Sequence, residues 1–317
     1  MTAYPYYRTL SAYLKERLGG KAVKIALDGG FTCPNRDGTL AVGGCRFCSE
    51  RGAGEFAENT VRGITAAVTH RLAAPLGGRR ADRYIAYFQS FSGTYAPPAA
   101  LRRRYDAALS DPRVVGLAVA TRPDCIDEEV VHLLAEYAQS RYVSVELGLQ
   151  TASDEVAARM NIACPRAAFS RAVRLLSSRG IDTVAHILVG LPGEGRKEAL
   201  ATLDLVNSLP VTGIKIHSLY VTQDSALAAD YLRGDYTPLS FEEYTETVVD
   251  MLSHARPDLV IHRLTGDPEK GALLSPAWCT EKHKVLAAIT QKMRERGLCQ
   301  GCLFVNNKKN TSYFKAE

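Results

Sequence analysis

Six short apolar runs, most of them followed by a helical pattern, constrain this chain more than any other feature of its sequence. The runs are Lys21–Leu27, Tyr84–Gln89, Val114–Ala120, Tyr142–Leu149, Thr183–Val189 and Gly213–Tyr220. Each has the length of a strand and is rich in β-branched, aromatic or aliphatic side chains, too continuous for a sheet with one wet face. Between them lie helical patterns at Asn59–Leu72, Pro98–Leu109, Glu128–Tyr137, Arg166–Ser178 and Arg196–Asn207. Pro97-Pro98 and Cys164-Pro165 open two of these, since proline suits a first helical turn, and Gly180 stops the fourth. Strand then helix, repeated in this way, predicts a parallel sheet covered by helices.

Polar residues recur at the carboxyl ends of successive strands, which favours a barrel over a doubly wound sheet. The expected fold is α/β, a partial (β/α)6 TIM-type barrel. After about Asp224 the pattern loosens into an acidic helix (Ser240–Leu252), one more strand (Leu259–Leu264) and a basic helix (Glu281–Arg296). Residues 1–224 are therefore expected to form the barrel and 225–317 a C-terminal α/β extension packed on it.

The first run leads into Asp28-Gly29-Gly30-Phe31-Thr32-Cys33 and then a glycine-rich loop ending Gly43-Gly44-Cys45-Arg46-Phe47-Cys48. A structural zinc site wants four protein ligands, and an iron–sulfur cluster is normally held by four cysteines. Three cysteines without an obvious fourth nearby, Cys33, Cys45 and Cys48, point to a cluster with one iron left open for a substrate or cofactor. The competing possibility is a zinc site joining Cys45 and Cys48 to the other C-x-x-C pair, Cys299 and Cys302. Cys125, Cys164 and Cys279 are read as packing residues.

Eight cysteines in 317 residues, with no apolar signal core in Met1–Leu10, place the chain in a reducing compartment, expected to be the cytoplasm. No run of about eighteen apolar residues predicts a membrane span. The net charge of +5 permits a polyanionic partner such as RNA without requiring one.

Later strands each bring polar groups to the same rim: Gln89 and Ser90, Thr121 and Arg122, Glu146 and Gln150, His186 and Gly190, Lys215 and His217. Such groups are costly in apolar strands unless paired, so one shared pocket is more economical than separate accidents. A small zwitterionic cofactor would suit it. Glu146 would take an ammonium or ribose hydroxyls, and Arg122 or Lys215 a carboxylate.

These residues resemble the radical S-adenosylmethionine (radical SAM) enzymes. Eleven residues, Pro34 to Gly44, separate the first two cysteines where the usual loop has three. That spacing is similar to the Elp3-related branch that includes the bacterial YhcC-like and YtqA-like proteins. The resemblance runs through Cys33-Pro34-Asn35-Arg36-Asp37-Gly38, Tyr84–Gln89, Thr121–Cys125, Glu146–Gln150, Gly190-Leu191-Pro192, Gly213–His217 and His262–Asp267.

It implies a [4Fe–4S] cluster on Cys33, Cys45 and Cys48, with SAM on the open iron, and a flavodoxin or ferredoxin as electron donor. Gln89, Ser90, Thr121, Arg122, Glu146, Gln150, His186 and Gly190 become candidates for holding SAM. Lys215, His217 and Arg263 become candidates for gripping the substrate, with His186 beside them. The loop Cys45–Ser49 and the stretch Gly52–Phe56 look most similar to the YtqA-like (MnmL-type) group. That group implies a tRNA-modifying enzyme converting 5-carboxymethylaminomethyl-(2-thio)uridine at the wobble position to 5-aminomethyl-(2-thio)uridine, ahead of a downstream methyltransferase.

Plainer alternatives stand beside these expectations. One alternative is a radical SAM enzyme of the same fold acting on another RNA, a protein or a metabolite; another is a non-catalytic zinc-stabilised RNA-binding or scaffold protein. In the plainer reading Glu146 and Gln150 bridge strands, the histidines are internally bonded, and Gly190 only makes a turn. The basic clusters Arg79-Arg80-Arg83, Arg102–Arg104 and Lys308-Lys309 form a tRNA track only if they share a surface near the barrel mouth.

Overall fold

The structure, a computed structural model, describes residues 6–52, 54–73 and 81–305. In chain order its elements are α1 (Leu10–Leu18), β1 (Ala22–Leu27), α2 (Ile64–Ala73), β2 (Arg83–Phe88), α3 (Pro98–Ala108), β3 (Val114–Thr121), α4 (Glu128–Ala138) and β4 (Tyr142–Gln150). There follow α5 (Asp154–Arg159), α6 (Arg166–Ser178), β5 (Asp182–Val189), α7 (Arg196–Ser208), β6 (Gly213–Ser218), β7 (Val221–Thr222) and α8 (Leu227–Arg233). The chain continues through α9 (Phe241–His254), β8 (Val260–Arg263), β9 (Leu273–Ser275) and α10 (Lys282–Glu295). Among the described residues no helix is long and apolar enough to cross a membrane.

Seven strands form one parallel sheet in the order β1-β2-β3-β4-β5-β6-β8, curled into a half-barrel. The seventh strand comes from the segment read as the extension. β8 pairs with β6, Ile214 opposite Ile261.

Alternation along each strand separates two environments. On β4, Val143, Val145, Leu147 and Leu149 face outward into the core under the helices, with Leu117 and Val119 of β3 and Ile214 and Ile216 of β6. The residues between them, Tyr142, Ser144, Glu146, Gly148 and Gln150, face the barrel interior.

The interior is closed at its amino end by α1, a helix the sequence patterns above did not single out. Thr9 caps it by accepting from the Ala12 N–H, and Gly19, at φ 67, ends it in the left-handed conformation that glycine tolerates. Leu14 of this helix packs among Ile85, Tyr87, Ala118, Ala120 and Tyr142 on the inner face. The Tyr13 hydroxyl donates to Asp182 at the start of β5, 2.6 Å away. Thr9 also bridges to Ile261 of β8.

Two boundaries differ from expectation. The helix expected from Asn59 begins at Ile64, because Glu58 pairs with Leu27 beside the edge strand and Gly63 turns the chain at φ 94. The strand expected to reach Tyr220 ends at Ser218, and Val221–Thr222 pair instead with β9.

The outer core also anchors the cysteine loop. Phe88, fully buried, meets Phe31 edge-on at 5.7 Å and Tyr105 at 5.5 Å. Phe88→Ala is expected to lower the unfolding free energy by about 3–5 kcal/mol, measured by chemical denaturation.

Candidate active site at the barrel mouth

β1 delivers Cys33 to the carboxyl rim, and the eleven residues that follow fold back on themselves. The Leu40 N–H donates to Pro34 O, the Gly44 N–H donates to Asn35 O (both 2.8 Å), and Asp37 bridges to Val42. The long insertion is thus a closed excursion that returns Cys45 to the neighbourhood of Cys33. A turn with Cys48 N–H on Cys45 O, 2.9 Å, then brings in the third thiol. All three cysteines line one cavity of about 200 Å³ at the mouth.

The loop is held from behind. The Asn161 side chain donates to Gly44 O at 2.8 Å, while its own carbonyl accepts from Asn35 Nδ2 at 2.5 Å. Arg122 makes a two-pronged ion pair with Asp124 and donates to the carbonyls of Ile162 and Ala163. Asn161 and Ala163 carry left-handed backbones, φ 52 and 48, in the short segment between α5 and α6 that accepts these bonds. On the far side Arg46 pairs with Asp230 of α8.

Opposite the thiols stands a buried charged cluster centred on Glu146. Lys24 Nζ donates to its Oε1 at 2.5 Å, Tyr87 and His186 bond its Oε2 at 2.7 and 2.8 Å, and Lys215 pairs with the same oxygen. Burial opposes ionisation of Glu146, but Lys215, Lys24 and His186 together hold its carboxyl well below the usual range. A carboxylate only accepts, so His186 Nε2 carries a proton. Burial, then Lys215, pushes the His186 pKa down to about 4, leaving the ring neutral near pH 7. Lys215 is pushed down to about 7, by burial first, then by Lys24 and Arg263, against the pull of Glu146.

The structure brings together in this cavity Cys33, Cys45, Cys48, Gln89, Thr121, Arg122, Glu146, Gln150, His186, Lys215, His217 and Arg263. Ser90 and Gly190 are not among its lining. Ser90 is buried beside Gly54, where a Cβ would fall 2.0 Å from its hydroxyl. The Gly190 carbonyl accepts from Tyr236 at 2.7 Å, and Leu239 covers its α-carbon. Gln150 adopts φ 66 where the β4–β5 register shifts, and Gly148 leaves room for its amide. His217 lies 5.3 Å from His186, ring to ring, and its buried Nε2 has no hydrogen-bond partner among the described residues.

Sequence reasoning missed Lys24, Tyr87, Asn35 and Asp124. For Lys24 the signal was present, a charge inside an apolar strand. Tyr87 looked like one more apolar strand residue. Of the basic clusters, Arg102 pairs with Glu136, and Arg104 lies over Phe31 and donates to Gly29 O. Arg79, Arg80, Lys308 and Lys309 lie outside the described residues.

The donors fit a [4Fe–4S] cluster. Burial and the neighbouring thiols push Cys45 up, and burial first, then Cys33 against Arg36, pushes Cys48 up to about 11. A bound cation inverts that preference by deprotonating its thiol ligands. Asn35 Nδ2, 3.5 Å from Cys45 Sγ, supplies a donor to one of these sulfurs. The alternative zinc set is not assembled. Gln300, between Cys299 and Cys302, bonds Leu259 O and Arg256 O at the amino end of β8, the opposite end of the sheet from Cys45 and Cys48.

Residues 33–206 match the Radical SAM superfamily and residues 211–295 the Radical_SAM C-terminal domain. The chain belongs to the radical SAM superfamily. It is a radical SAM enzyme, and the cofactors of that family are a [4Fe–4S] cluster and SAM. The chain is 40% identical to the uncharacterized protein YtqA of Bacillus subtilis over 299 residues, 94% of this chain and 92% of that one. A tRNA uridine(34) acetyltransferase of Dehalococcoides mccartyi is 27% identical over 158 residues, 49% of this chain and 34% of the relative. In fold the chain is similar to Methanocaldococcus infernus Elp3, with a TM-score of 0.65 at 15% identity, covering 88% of this chain and 64% of that one.

Glu146→Gln leaves two buried lysines without their counter-charge. A loss of about 3–5 kcal/mol in unfolding free energy is expected on chemical denaturation. Lys215 binds its proton less readily folded than unfolded, so the unfolded chain holds more protons between about pH 7 and its ordinary value of 10.5. Stability from this group therefore rises with pH across that window. Lys215→Met is expected to flatten the rise, read from denaturation midpoints between pH 7 and 10.

Proposed function

We propose that this radical SAM enzyme acts on the wobble uridine of tRNA, removing the carboxymethyl group from 5-carboxymethylaminomethyl-(2-thio)uridine to leave 5-aminomethyl-(2-thio)uridine. One observation carries the reading. Lys215 and Arg263 line the cavity and Lys24 stands behind them on Glu146; these three cations meet two carboxylates, Glu146 and Asp267, the latter 3.5 Å from Arg263, an excess of positive charge suited to a substituent that ends in a carboxylate. The partial match to a tRNA uridine(34) acetyltransferase supports the substrate class. The substituent is the one implied by the resemblance of Cys45–Ser49 and Gly52–Phe56 to the YtqA-like group.

When bound, the cluster and SAM supply a 5′-deoxyadenosyl radical that abstracts hydrogen from the substrate. The chain's residues bind and orient. Cys33, Cys45 and Cys48 hold the cluster, and Gln89, Thr121 and Gln150 border the space for SAM. Arg122, engaged by Asp124, braces the segment behind the loop. Glu146 has its oxygens occupied, so it is a positioning residue that fixes Lys24, His186 and Lys215. Lys215 and Arg263 meet the substituent's carboxylate. A flavodoxin or ferredoxin delivers the electron, and a methyltransferase takes the aminomethyl product.

Mass spectrometry of tRNA nucleosides from cells lacking this protein tests the assignment. Accumulated 5-carboxymethylaminomethyl-uridine, or its 2-thio form, is expected. An unchanged nucleoside profile overturns it.

A further inference from the structure

Past Cys48 and His217, which border both, the main cavity opens into a side chamber walled by Glu55, Gln150 and Tyr220. Two features mark it as built for a ligand. His217 Nε2 is buried without a partner among the described residues, a cost that native structures keep where something else answers it. Gln150 is held at φ 66, a backbone a glutamine rarely adopts, with its side chain in the wall of both spaces.

The charges around the chamber are divided. Ser49 donates to Glu55 Oε1, and Glu55 Oε2 makes no hydrogen bond among the described residues. Arg263 stands on the main-cavity side, where one of its nitrogens pairs with Asp267 at 3.5 Å. Tyr220 feels both. Its phenol is pushed up by burial first and then by Glu55, and drawn back by Arg263. His217 is neutral, held well below its ordinary value by burial, then by His186, Arg263 and Lys215.

We propose that this chamber and the adjoining part of the main cavity together take a group bearing a protonated amine and a carboxylate a few bonds apart, the amine on Glu55 and the carboxylate on Arg263 and Lys215, with His217 Nε2 donating to it from the border between the two spaces. The assignment rests on the function proposed above, whose carboxymethylaminomethyl substituent is such a group, and gives each of its ends a separate contact. With Glu146 enclosed by Lys24, Tyr87, His186 and Lys215, Glu55 lines the chamber with an oxygen left, among the described residues, for a cation.

The test uses the reconstituted holoenzyme and anticodon stem–loop RNAs that differ only in the uridine substituent: carboxymethylaminomethyl, aminomethyl, carboxymethyl or none. The wild type should bind the first most tightly. Glu55→Gln should lose about tenfold in affinity for the two amine-bearing RNAs and keep its affinity for the carboxymethyl RNA. Arg263→Gln should lose affinity for the two carboxylate-bearing RNAs and keep it for the aminomethyl RNA. Equal losses across all four, or none, overturn the chamber's assignment. A wild type that prefers the full substituent while both variants keep that preference overturns the chamber alone. A wild type that does not distinguish the four RNAs overturns the proposed function with it. Iron content verifies loading, and where Glu55→Gln fails to load, Glu55→Asp, with its shorter reach, reads the same contrast.

Discussion

The curl of the sheet and the chemistry at its mouth both depend on one buried carboxylate. Glu146 lies on β4, yet its hydrogen-bond partners come from β1, β2, β5 and β6. In a flat sheet β1 and β4 would be roughly 14 Å apart, three strand spacings, further than a lysine and a glutamate side chain can span together. Lys24 reaches Glu146 because the sheet bends inward. The same bend brings Lys215 in from the other side, with both ammonium groups about one ring away from Tyr87, at 5.0 and 4.7 Å from its centroid. The network is thus a geometric tie between strands distant in the sheet.

That tie divides the barrel interior into two floors. Below it, Leu14 of α1 packs on Ile85 and Tyr142, so the amino end is filled. Above it, the cavity is lined by thiols, amides and cations. The cavity lies at the carboxyl rim, where the chain has placed its loops. The low dielectric of the filled end strengthens the charge pairs above it, and would make any unpaired charge there costly.

The layered architecture was legible because alternating strand and helix runs carry a local signal that survives tertiary packing. The cysteine loop was legible for its spacing, although only the folded loop explains why eleven intervening residues still return Cys45 to Cys33. The partners of Glu146 were not legible. They lie between 40 and 122 residues away in the chain, and no periodicity reports contacts across a barrel. Helix α1 had its cap, Thr9, and its stop, Gly19, in plain view. What hid it was its role, since its apolar face plugs a barrel that exists only after seven later strands have formed. Arg122 looked like a free cation in sequence, whereas in the fold Asp124 and two carbonyls consume its donors.

The distribution of charge follows from these placements. Burial alone would neutralise a lysine or a carboxylate, so a barrel that keeps Lys24, Lys215 and Glu146 together retains ions only as a set. The set is unequal, two ammonium groups to one carboxylate, and Arg263, itself paired with Asp267, stands at the same wall. The opposite wall carries three thiols that become anionic once they coordinate metal. Between a cationic wall and a thiolate wall, a group with separated charges gains by aligning its own dipole, and a neutral group does not. The two histidines, kept uncharged by the same burial, add nothing to the charge of this gap. Orientation of the ligand is therefore set by the protein's fixed charges before any chemistry begins.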